Sequence, residues 1–542
     1  MMNSFSRLCK KHSFPRSHFT FELIQYFSRV YLVSFFQMID LSPTSHSLLR
    51  AHSCHDSKSH RKKFEISSSK SRSCSVSTKQ GPLRFNAVSL FVRHCFLVYV
   101  VLLGAKLRTA SGNEIPTCDY STSDINEMNE KVKNDLLQRG FTVREGRFRV
   151  ADSNLSGADP GNPYFVYVFL DASPATFELQ PSSAVLFLGC TPSSPKYFSW
   201  RSYAFRSENA AVFASLGDST NNLVINTSGS DSEDSGGKLT AIVTTADEQT
   251  LSTITTALED AGAPTGIVNL DAVPSNRVDL FDDPSLNFMM LHRVTGWEDE
   301  EQKMAYASQI RPVLLIDPPS EQTFKPLGEV QLRPQGSGSP EDKQNGVESD
   351  LTKLEDAIIN SMQSSSYRLV SSTTLEAFEL DGFDCLENRE FCRGDNRDTE
   401  YITYFSEQPF RWNDVYVFFG TDSVETDKCS HTSVGLYQVR FLGDNIGLLA
   451  TNLSIDNRDM KNSASAFDVD NKKLVAYTMA RNCGNVPERF REYCLEVGYN
   501  RVRGIPRRTS WGLIDRATLD PESKTAPLPS ELVMSKVLKF KL

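Results

Sequence analysis

The stretch Leu239–Val273, LTAIVTTADEQTLSTITTALEDAGAPTGIVNLDAV, carries the clearest fold signal in the chain. It begins with a β-branched run, Leu239–Thr245, and returns to a similar composition at Ile267–Val273. Between these runs Asp247 is a candidate N-cap, apolar residues recur at helical spacing, and Gly262 is a natural helix stop. Strand, helix and strand in this order predict a β-α-β unit, so the surrounding block is α/β or α+β.

The chain around this unit divides into two blocks with the same opening pattern. Block one, residues 113–333, opens with an amphipathic helix, and block two, residues 350–542, opens with another that Asp350 is placed to cap. Residues 334–349 between them have the Gly-, Ser- and Pro-rich composition of a linker. The apolar helix faces carry Ile125, Met128, Val132 and Leu136 in block one, and Leu351, Leu354, Ile358 and Met362 in block two. We therefore predict two mixed α+β or α/β domains after an N-terminal leader.

Further apolar and aromatic runs predict the strands of each block. In block one they are 141–150, broken at Glu145-Gly146, then 164–170 and 184–188. In block two they are 401–405, 415–419, 434–441 and 474–479.

The charge distribution separates a basic leader from an acidic body. Residues 1–108 carry 17 Lys and Arg against 4 Asp and Glu, a net charge of +13, whereas 109–542 carry 41 against 63, a net charge of −22. An acidic body repels phosphate backbones, so nucleic acid is not an expected partner.

The leader, residues 1–112, ends in a segment that is typical of signal peptides. The run 95–105 is apolar, follows Arg93 and His94, and precedes small residues. Its 11 residues are too few for a spanning helix, which needs about 20. We therefore expect a protein that is secreted or resides in the endomembrane lumen, with membrane attachment only through an uncleaved signal-anchor. The sequons at Asn154, Asn226 and Asn452 predict a glycoprotein.

Cysteine spacing agrees with an oxidising compartment. Cys385 with Cys392, and Cys483 with Cys494, are close enough in sequence to close local disulfide loops. Neither pair has the CxxC spacing of a zinc site. Seven cysteines follow the leader, so one thiol is left over, and Cys429 is the expected odd one. Cys118–Cys190 is a further candidate pair, and Cys392–Cys429 is a longer-range alternative.

The segment Glu376–Glu400 is unusually acidic, with nine carboxylates against three arginines. Because crowded carboxylates repel one another unless solvated, paired or bound to a cation, we expect a solvated acidic face. Oxygen-rich loops also suit calcium, which makes it the one candidate cofactor, although no EF-hand spacing is present. The candidate binding residues are Asp381, Asp384, Asp395, Asn396, Asp398 and, from a polar loop further along the chain, His431.

The sequence contains no complete catalytic motif: GxSxG, GxxxxGK[ST] and HExxH are all missing. His292 lies in a predicted apolar strand, 288–294, and is expected to be a hydrogen-bonded core residue. Cys429 and His431 are a candidate nucleophile pair if a strand points them the same way. These observations favour a ligand- or partner-binding protein whose partner is unknown. The alternative is a carboxylate-dependent hydrolase that uses the acidic loop 381–398, because paired carboxyls can do acid–base work without histidine.

The charge break and the apolar run predict that the mature chain begins near Asn113. A signal peptidase would remove the leader during export, so material secreted by an expressing cell should lack residues 1–112. N-terminal sequencing of that material checks the expectation. A mature chain that starts before residue 85 would contradict it.

Overall fold

The computed structural model describes residues 118–151, 162–169, 175–206, 212–229, 235–277, 281–283, 285–341, 346–378, 380–442, 445–499, 505–506 and 509–542. The predicted leader, its apolar run 95–105 and the sequon Asn154 lie outside these residues. All described residues belong to a single compact unit. In this part of the chain no helix has the length and hydropathy that a membrane crossing requires.

Block one folds as a ten-stranded sheet in the order β5-β4-β9-β2-β1-β10-β3-β7-β8, with β6 paired to β4. The strands are β1 Thr142–Val150, β2 Tyr164–Val168, β3 Ala184–Cys190, β4 Pro195–Arg206, β5 Val212–Ser215, β6 Thr220–Asn221, β7 Leu239–Thr245, β8 Val268–Ala272, β9 Asn287–Trp297 and β10 Arg311–Asp317. Strands β7 and β8 are parallel, and the other described pairs of this sheet are antiparallel. A mostly antiparallel sheet with helices makes the fold α+β.

Two helices cover one face of this sheet. Helix α1, Thr122–Gln138, is capped by Ser121, and helix α2, Glu248–Asp260, is capped by Asp247, whose carboxylate accepts a hydrogen bond from the Gln249 amide at 3.0 Å. Their apolar faces share a core with the sheet, formed among others by Val132, Leu136, Ile254, Leu258, Leu186, Val243 and Ile316. Helix α2 joins β7 to β8, so the stretch Leu239–Val273 is a β-α-β unit.

The opposite face of the sheet holds an aromatic core. It includes Phe148, Phe165, Phe187 and Trp200, and the short helix α3, Glu300–Ser308, adds Tyr306. His292 lies among these rings, 3.8 Å from the Trp200 ring centroid, with Nδ1 3.1 Å from the Ser199 carbonyl oxygen. Burial lowers the pKa of His292 well below its usual value, so its imidazole is a neutral core group.

Block two is a sandwich of two five-stranded sheets, ordered β11-β20-β14-β17-β18 and β12-β13-β19-β15-β16. The strands are β11 Arg368–Thr374, β12 Glu376–Ala377, β13 Thr399–Ser406, β14 Asp414–Thr421, β15 His431–Leu442, β16 Asn445–Asp456, β17 Leu474–Ala480, β18 Cys494–Glu496, β19 Ser510–Thr518 and β20 Lys536–Lys541. Trp511, Phe418 and Leu513 lie in the core between the sheets. Helix α4, Val347–Ser364, packs its apolar face on the first of these sheets, and the shorter helices are α5, Gly382–Asn388, and α6, Asn457–Met460.

Two local expectations are wrong. Asp350 does not cap α4, because the helix begins three residues earlier at Val347, after Gly346 in a left-handed conformation with φ 75°. Asp350 lies in the first turn instead, where its charge is favourable to the helix dipole. Strand β1 is also not broken at Glu145-Gly146, and both residues pair with β10 in regular register.

The predicted linker makes specific contacts in its first half. The Gly336 amide donates to the Ala526 carbonyl oxygen at 2.9 Å. Glu341 is 1% exposed and accepts hydrogen bonds from the hydroxyls of Thr421 at 3.1 Å and Thr426 at 2.7 Å. Residues 342–345 lie outside the described residues. Each described sheet is built from one block alone, and separate folding of the two blocks stays a prediction.

The structure pairs Cys385 with Cys392 and Cys483 with Cys494, the two local loops that the spacing predicts. A third disulfide, Cys118–Cys190, joins the segment before α1 to strand β3. Cys429 is a buried free thiol, so it does not take the alternative partner Cys392.

Peptide mapping under non-reducing conditions should therefore recover three disulfide-linked peptide pairs. Cys429 should resist alkylation in the native protein and react in denaturant, because it is 3% exposed and burial raises the pKa of its thiol to about 12. Mass spectrometry of the two alkylated samples checks both points. A peptide that links Cys429 to Cys392 would contradict this assignment.

Candidate functional site

The acidic segment forms the solvated face that its composition predicts only in part. Helix α5 packs Phe383 and Leu386 into the aromatic core of block one, and its disulfide partner Cys392 is fully buried there. Asp395, Asp398 and Glu400 are buried as well. The remaining described carboxylates of the segment, among them Asp381 and Asp384, lie nearer the surface. Folding therefore separates the charges that the sequence places side by side.

Asp395 is held by strand β5 of block one. Its carboxylate accepts a hydrogen bond from the Ser215 amide at 2.7 Å, and a second from the Ser215 hydroxyl. Its own carbonyl oxygen accepts from the Tyr203 hydroxyl at 2.7 Å. Burial outweighs these hydrogen bonds and raises the pKa of Asp395 to about 6. Both carboxylate oxygens are thus engaged by one serine.

Asn396 and Asp398 dock on strand β4. Tyr197 donates from its hydroxyl to the Asp398 carboxylate at 3.0 Å and accepts from the Asn396 side-chain amide at 3.0 Å. Asp398 is fully buried, and burial raises the pKa of its carboxyl to about 6. The guanidinium of Arg333 lies 3.7 Å from the Asp398 carboxylate. These two site candidates therefore contribute to the junction with block one.

Arg397 completes the contact. Its guanidinium donates to the carboxylates of Asp218 at 2.8 Å and Asp381 at 2.9 Å, and to the Arg333 carbonyl oxygen at 3.0 Å. Asp381 also caps helix α5, where its carboxylate accepts from the Phe383 amide at 2.8 Å. We call the segment Gly394–Asp398 the clasp, because its side chains bond to residues far away in block one.

His431 and Cys429 do not form a nucleophile pair. His431 is 1% exposed, and its Nε2 lies 2.8 Å from the Thr295 hydroxyl. The Cys429 thiol lies 3.3 Å from the backbone carbonyl oxygen of His431 and 3.4 Å from the Thr432 hydroxyl. Because burial raises the thiol pKa to about 12, the reactive thiolate is disfavoured.

A cleft with a cavity volume of about 60 Å³ lies between the ten-stranded sheet and the second sheet of the sandwich. We call it the central cleft. Its lining consists of Tyr164, Phe213, Leu291, Arg293, Phe378, Leu380, Cys392, Arg393, Gly394, Asp395, Tyr401, Thr403, Phe405, Leu448 and Ile514. A smaller cavity shares Tyr164, Arg293 and Tyr401 with it and is also lined by Asn396, His431 and Arg516.

Arginine guanidinium groups lie close to tyrosine rings along this boundary. Arg293 donates to the Gly394 carbonyl oxygen at 2.8 Å and to the Tyr203 hydroxyl, with its guanidinium 5.1 Å from the Tyr203 ring centroid. Arg516 lies 5.8 Å from the centroid of the Tyr401 ring. Burial raises the pKa of Tyr401 to about 12, so this phenol is neutral at physiological pH.

The structure divides the predicted binding residues among different surroundings. Asp395 lines the central cleft, and Asn396 and His431 line the smaller cavity, whereas Asp381, Asp384 and Asp398 line neither. Among the described residues Asp395 is the one carboxylate on the wall of these two cavities. The sequence did not identify three residues of the cleft wall, which are Arg293, Arg393 and Tyr401. For Arg393, the position between Cys392 and the clasp was a signal in the sequence.

The described residues hold no carboxylate cluster that would suit calcium. In the described ranges, the one group of three candidate ligands with atoms within 4.8 Å of one another is Cys118, Asp119 and Cys190, and both cysteines are in a disulfide. Of the sequons within the described ranges, Asn226 is exposed and Asn452 belongs to strand β16.

Comparison with known proteins gives no family. No family model matches the sequence, and no curated protein matches it. A solved structure titled as the B domain of a biofilm associated protein is 9% identical, with a TM-score of 0.15 over 68% of this chain and 71% of that one. A structure of the infectious bursal disease virus Gt strain is 9% identical, with a TM-score of 0.07 over 74% and 81%. Likenesses this weak carry no argument about fold or function.

Replacing Asp395 with Asn should change how stability depends on pH. A carboxyl whose pKa is about 6 when folded and about 3.9 when unfolded binds its proton more tightly in the folded protein. It therefore adds stability as the pH falls from 7 to 4, at most about 2–3 kcal/mol. The variant Asp395→Asn keeps the Ser215 contacts with a neutral side chain. It should therefore lack the part of the stability increase at low pH that comes from protonation of Asp395.

Urea unfolding at pH 7.5, 6.0 and 4.5 measures the difference between wild type and variant, so that other titrating groups cancel. The variant should be at least as stable at pH 7.5 and lose that relative advantage at pH 4.5. Asp384→Asn, at an exposed position of the same segment, is the matched control. A constant difference across this pH range would contradict the role of burial at Asp395.

Proposed function

We propose that this chain is an exported, disulfide-bonded protein that binds a small ligand in the central cleft. The observation that carries the proposal is the composition of the cleft wall, in which apolar and aromatic side chains from both blocks surround a few charged groups. Ligand sites are typically concave, largely apolar and provided with a small number of oriented polar groups.

The location proposed for the protein draws on its disulfides. The three bonds fit an extracellular or lumenal compartment, where oxidising conditions preserve them. The apolar run 95–105 and the exposed sequon Asn226 support export and glycosylation as parts of the same proposal. Secretion is tested by the sequencing experiment given above for the mature terminus.

A carboxylate-dependent hydrolase has weaker support as the alternative. Its favourable observation is Asp395, a cleft residue whose pKa of about 6 suits a general acid near neutral pH. Such enzymes use two carboxyl groups that face each other across the substrate. No second carboxylate of the described residues lines the cleft, and Ser215 engages both oxygens of the first. We therefore propose binding as the function of the cleft.

The binding proposal predicts that a small aromatic probe occupies the cleft and that filling the cleft excludes it. Leu380 lines the cleft at a half-buried position, so Leu380→Trp should place an indole ring in the ligand space. Wild type should bind the neutral compound 3-phenylpropanamide at one saturable site, and Leu380→Trp should weaken this binding at least tenfold. Titration calorimetry, or ligand-observed NMR for a weak complex, measures the affinity.

The matched control is Leu270→Trp, which adds the same ring at a 39% exposed position of strand β8. It should leave the affinity unchanged, and thermal unfolding establishes that both variants are folded. Equal binding by wild type and Leu380→Trp would show that the probe does not enter the central cleft and would contradict the proposal.

A further inference from the structure

Arg393 presents an unusual group to the central cleft. It lies between the disulfide-bonded Cys392 and the clasp, and it has a left-handed backbone with φ 57°. Its guanidinium lies 4.8 Å from the centroid of the Phe378 ring. Its Nη1 is buried and has no hydrogen-bond partner among the described residues. A buried donor without an acceptor is costly, so this position favours a ligand that supplies one.

The surroundings leave the positive charge of Arg393 uncompensated. No carboxylate of the described residues is within ion-pair distance of Arg393 or of its cleft neighbour Arg293. Asp395 also lines the cleft, but Ser215 holds both of its carboxylate oxygens. Burial lowers the pKa of Arg393, which is the direction expected for a cation deprived of water. An anion in the cleft would restore the lost solvation.

The rest of the wall restricts the shape of such an anion. Phe213, Leu291, Phe378, Phe405 and Ile514 present apolar surface to the cleft. An inorganic ion would leave this surface in contact with water, whereas an apolar body would cover it. The lining therefore favours a ligand with one charged end and an apolar remainder.

We propose that the ligand of the central cleft is a small organic anion, with its carboxylate or equivalent acid group paired to Arg393 and its apolar body against the aromatic wall. This inference rests on the proposed binding function and adds the chemical class of the ligand. The planar guanidinium suits the two oxygens of a carboxylate, and such charge-assisted hydrogen bonds are stronger than neutral ones.

Two probes of nearly identical shape isolate the charge. At pH 7.5, 3-phenylpropionate is an anion, whereas 3-phenylpropanamide has the same skeleton and no charge. Wild type should bind the acid at least tenfold more tightly than the amide. Arg393→Gln should reduce this ratio to about one, while the affinity for the amide changes less than about threefold.

Two further variants keep the test decisive. Arg393→Lys retains the positive charge but lacks the two parallel donors of the guanidinium, so it should keep part of the preference for the acid. This variant replaces Arg393→Gln in the test if Arg393→Gln does not fold. Arg489→Gln removes an exposed arginine that is 3.0 Å from the Asp468 carboxylate, and it should leave both affinities unchanged. Thermal unfolding and circular dichroism verify the fold of each variant.

The outcomes separate this inference from the function on which it rests. If wild type binds the acid and the amide equally, and Leu380→Trp binds neither, the proposal that the ligand is an anion fails. The proposal that the central cleft binds a ligand then still stands. A preference for the acid that persists in both Arg393 variants would place the anion elsewhere and overturn the assignment. Failure of both probes to bind wild type would overturn both proposals.

Discussion

The burial of the clasp is the constraint on which the arrangement of the two blocks depends. Buried carboxylates, guanidinium groups and amides are costly unless each has a partner. The clasp carries Asp395, Asn396, Arg397 and Asp398 in succession, and their partners lie in block one. Ser215 is 180 residues from Asp395 in the sequence, and Tyr197 is 201 residues from Asp398. These contacts attach the segment after α5 to strands β4 and β5 of the large sheet.

The position of the clasp determines the cleft. Gly394 accepts a hydrogen bond from Arg293 through its carbonyl oxygen, and Asp395 forms part of the wall. Side chains alternate between the two faces of a strand. On β9, His292 therefore faces the aromatic core while Arg293 faces the cleft, and on β13, Ile402 faces the sandwich core while Tyr401 faces the cleft. The same strands thus stabilise the protein on one side and form a candidate binding surface on the other.

Sequence patterns predicted local structure correctly where the contacts that stabilise it join residues close in sequence. The helix with Ile125 and Leu136 on its buried face, the cap by Asp247 and the loop closed by Cys385 and Cys392 all involve residues less than about four turns apart. Strand β9 was predicted as an apolar strand around His292, whereas β4 was not predicted. Both are buried on two faces over most of their length, so neither shows the alternation that identifies a half-exposed strand.

The sequence by itself determined the three long helices, the β-α-β unit, the spacing of the local disulfides and a mixed fold, α+β or α/β, because hydrophobic periodicity and capping act over a few residues. Tertiary structure alone decided which carboxylates of 376–400 are buried and which face solvent. It also brought Arg293 of block one to the same cleft as Arg393 and Tyr401 of block two. The energy of a charged group depends on the water, charges and hydrogen-bond donors around it. In the clasp, those neighbours belong to strands that lie about two hundred residues earlier in the sequence.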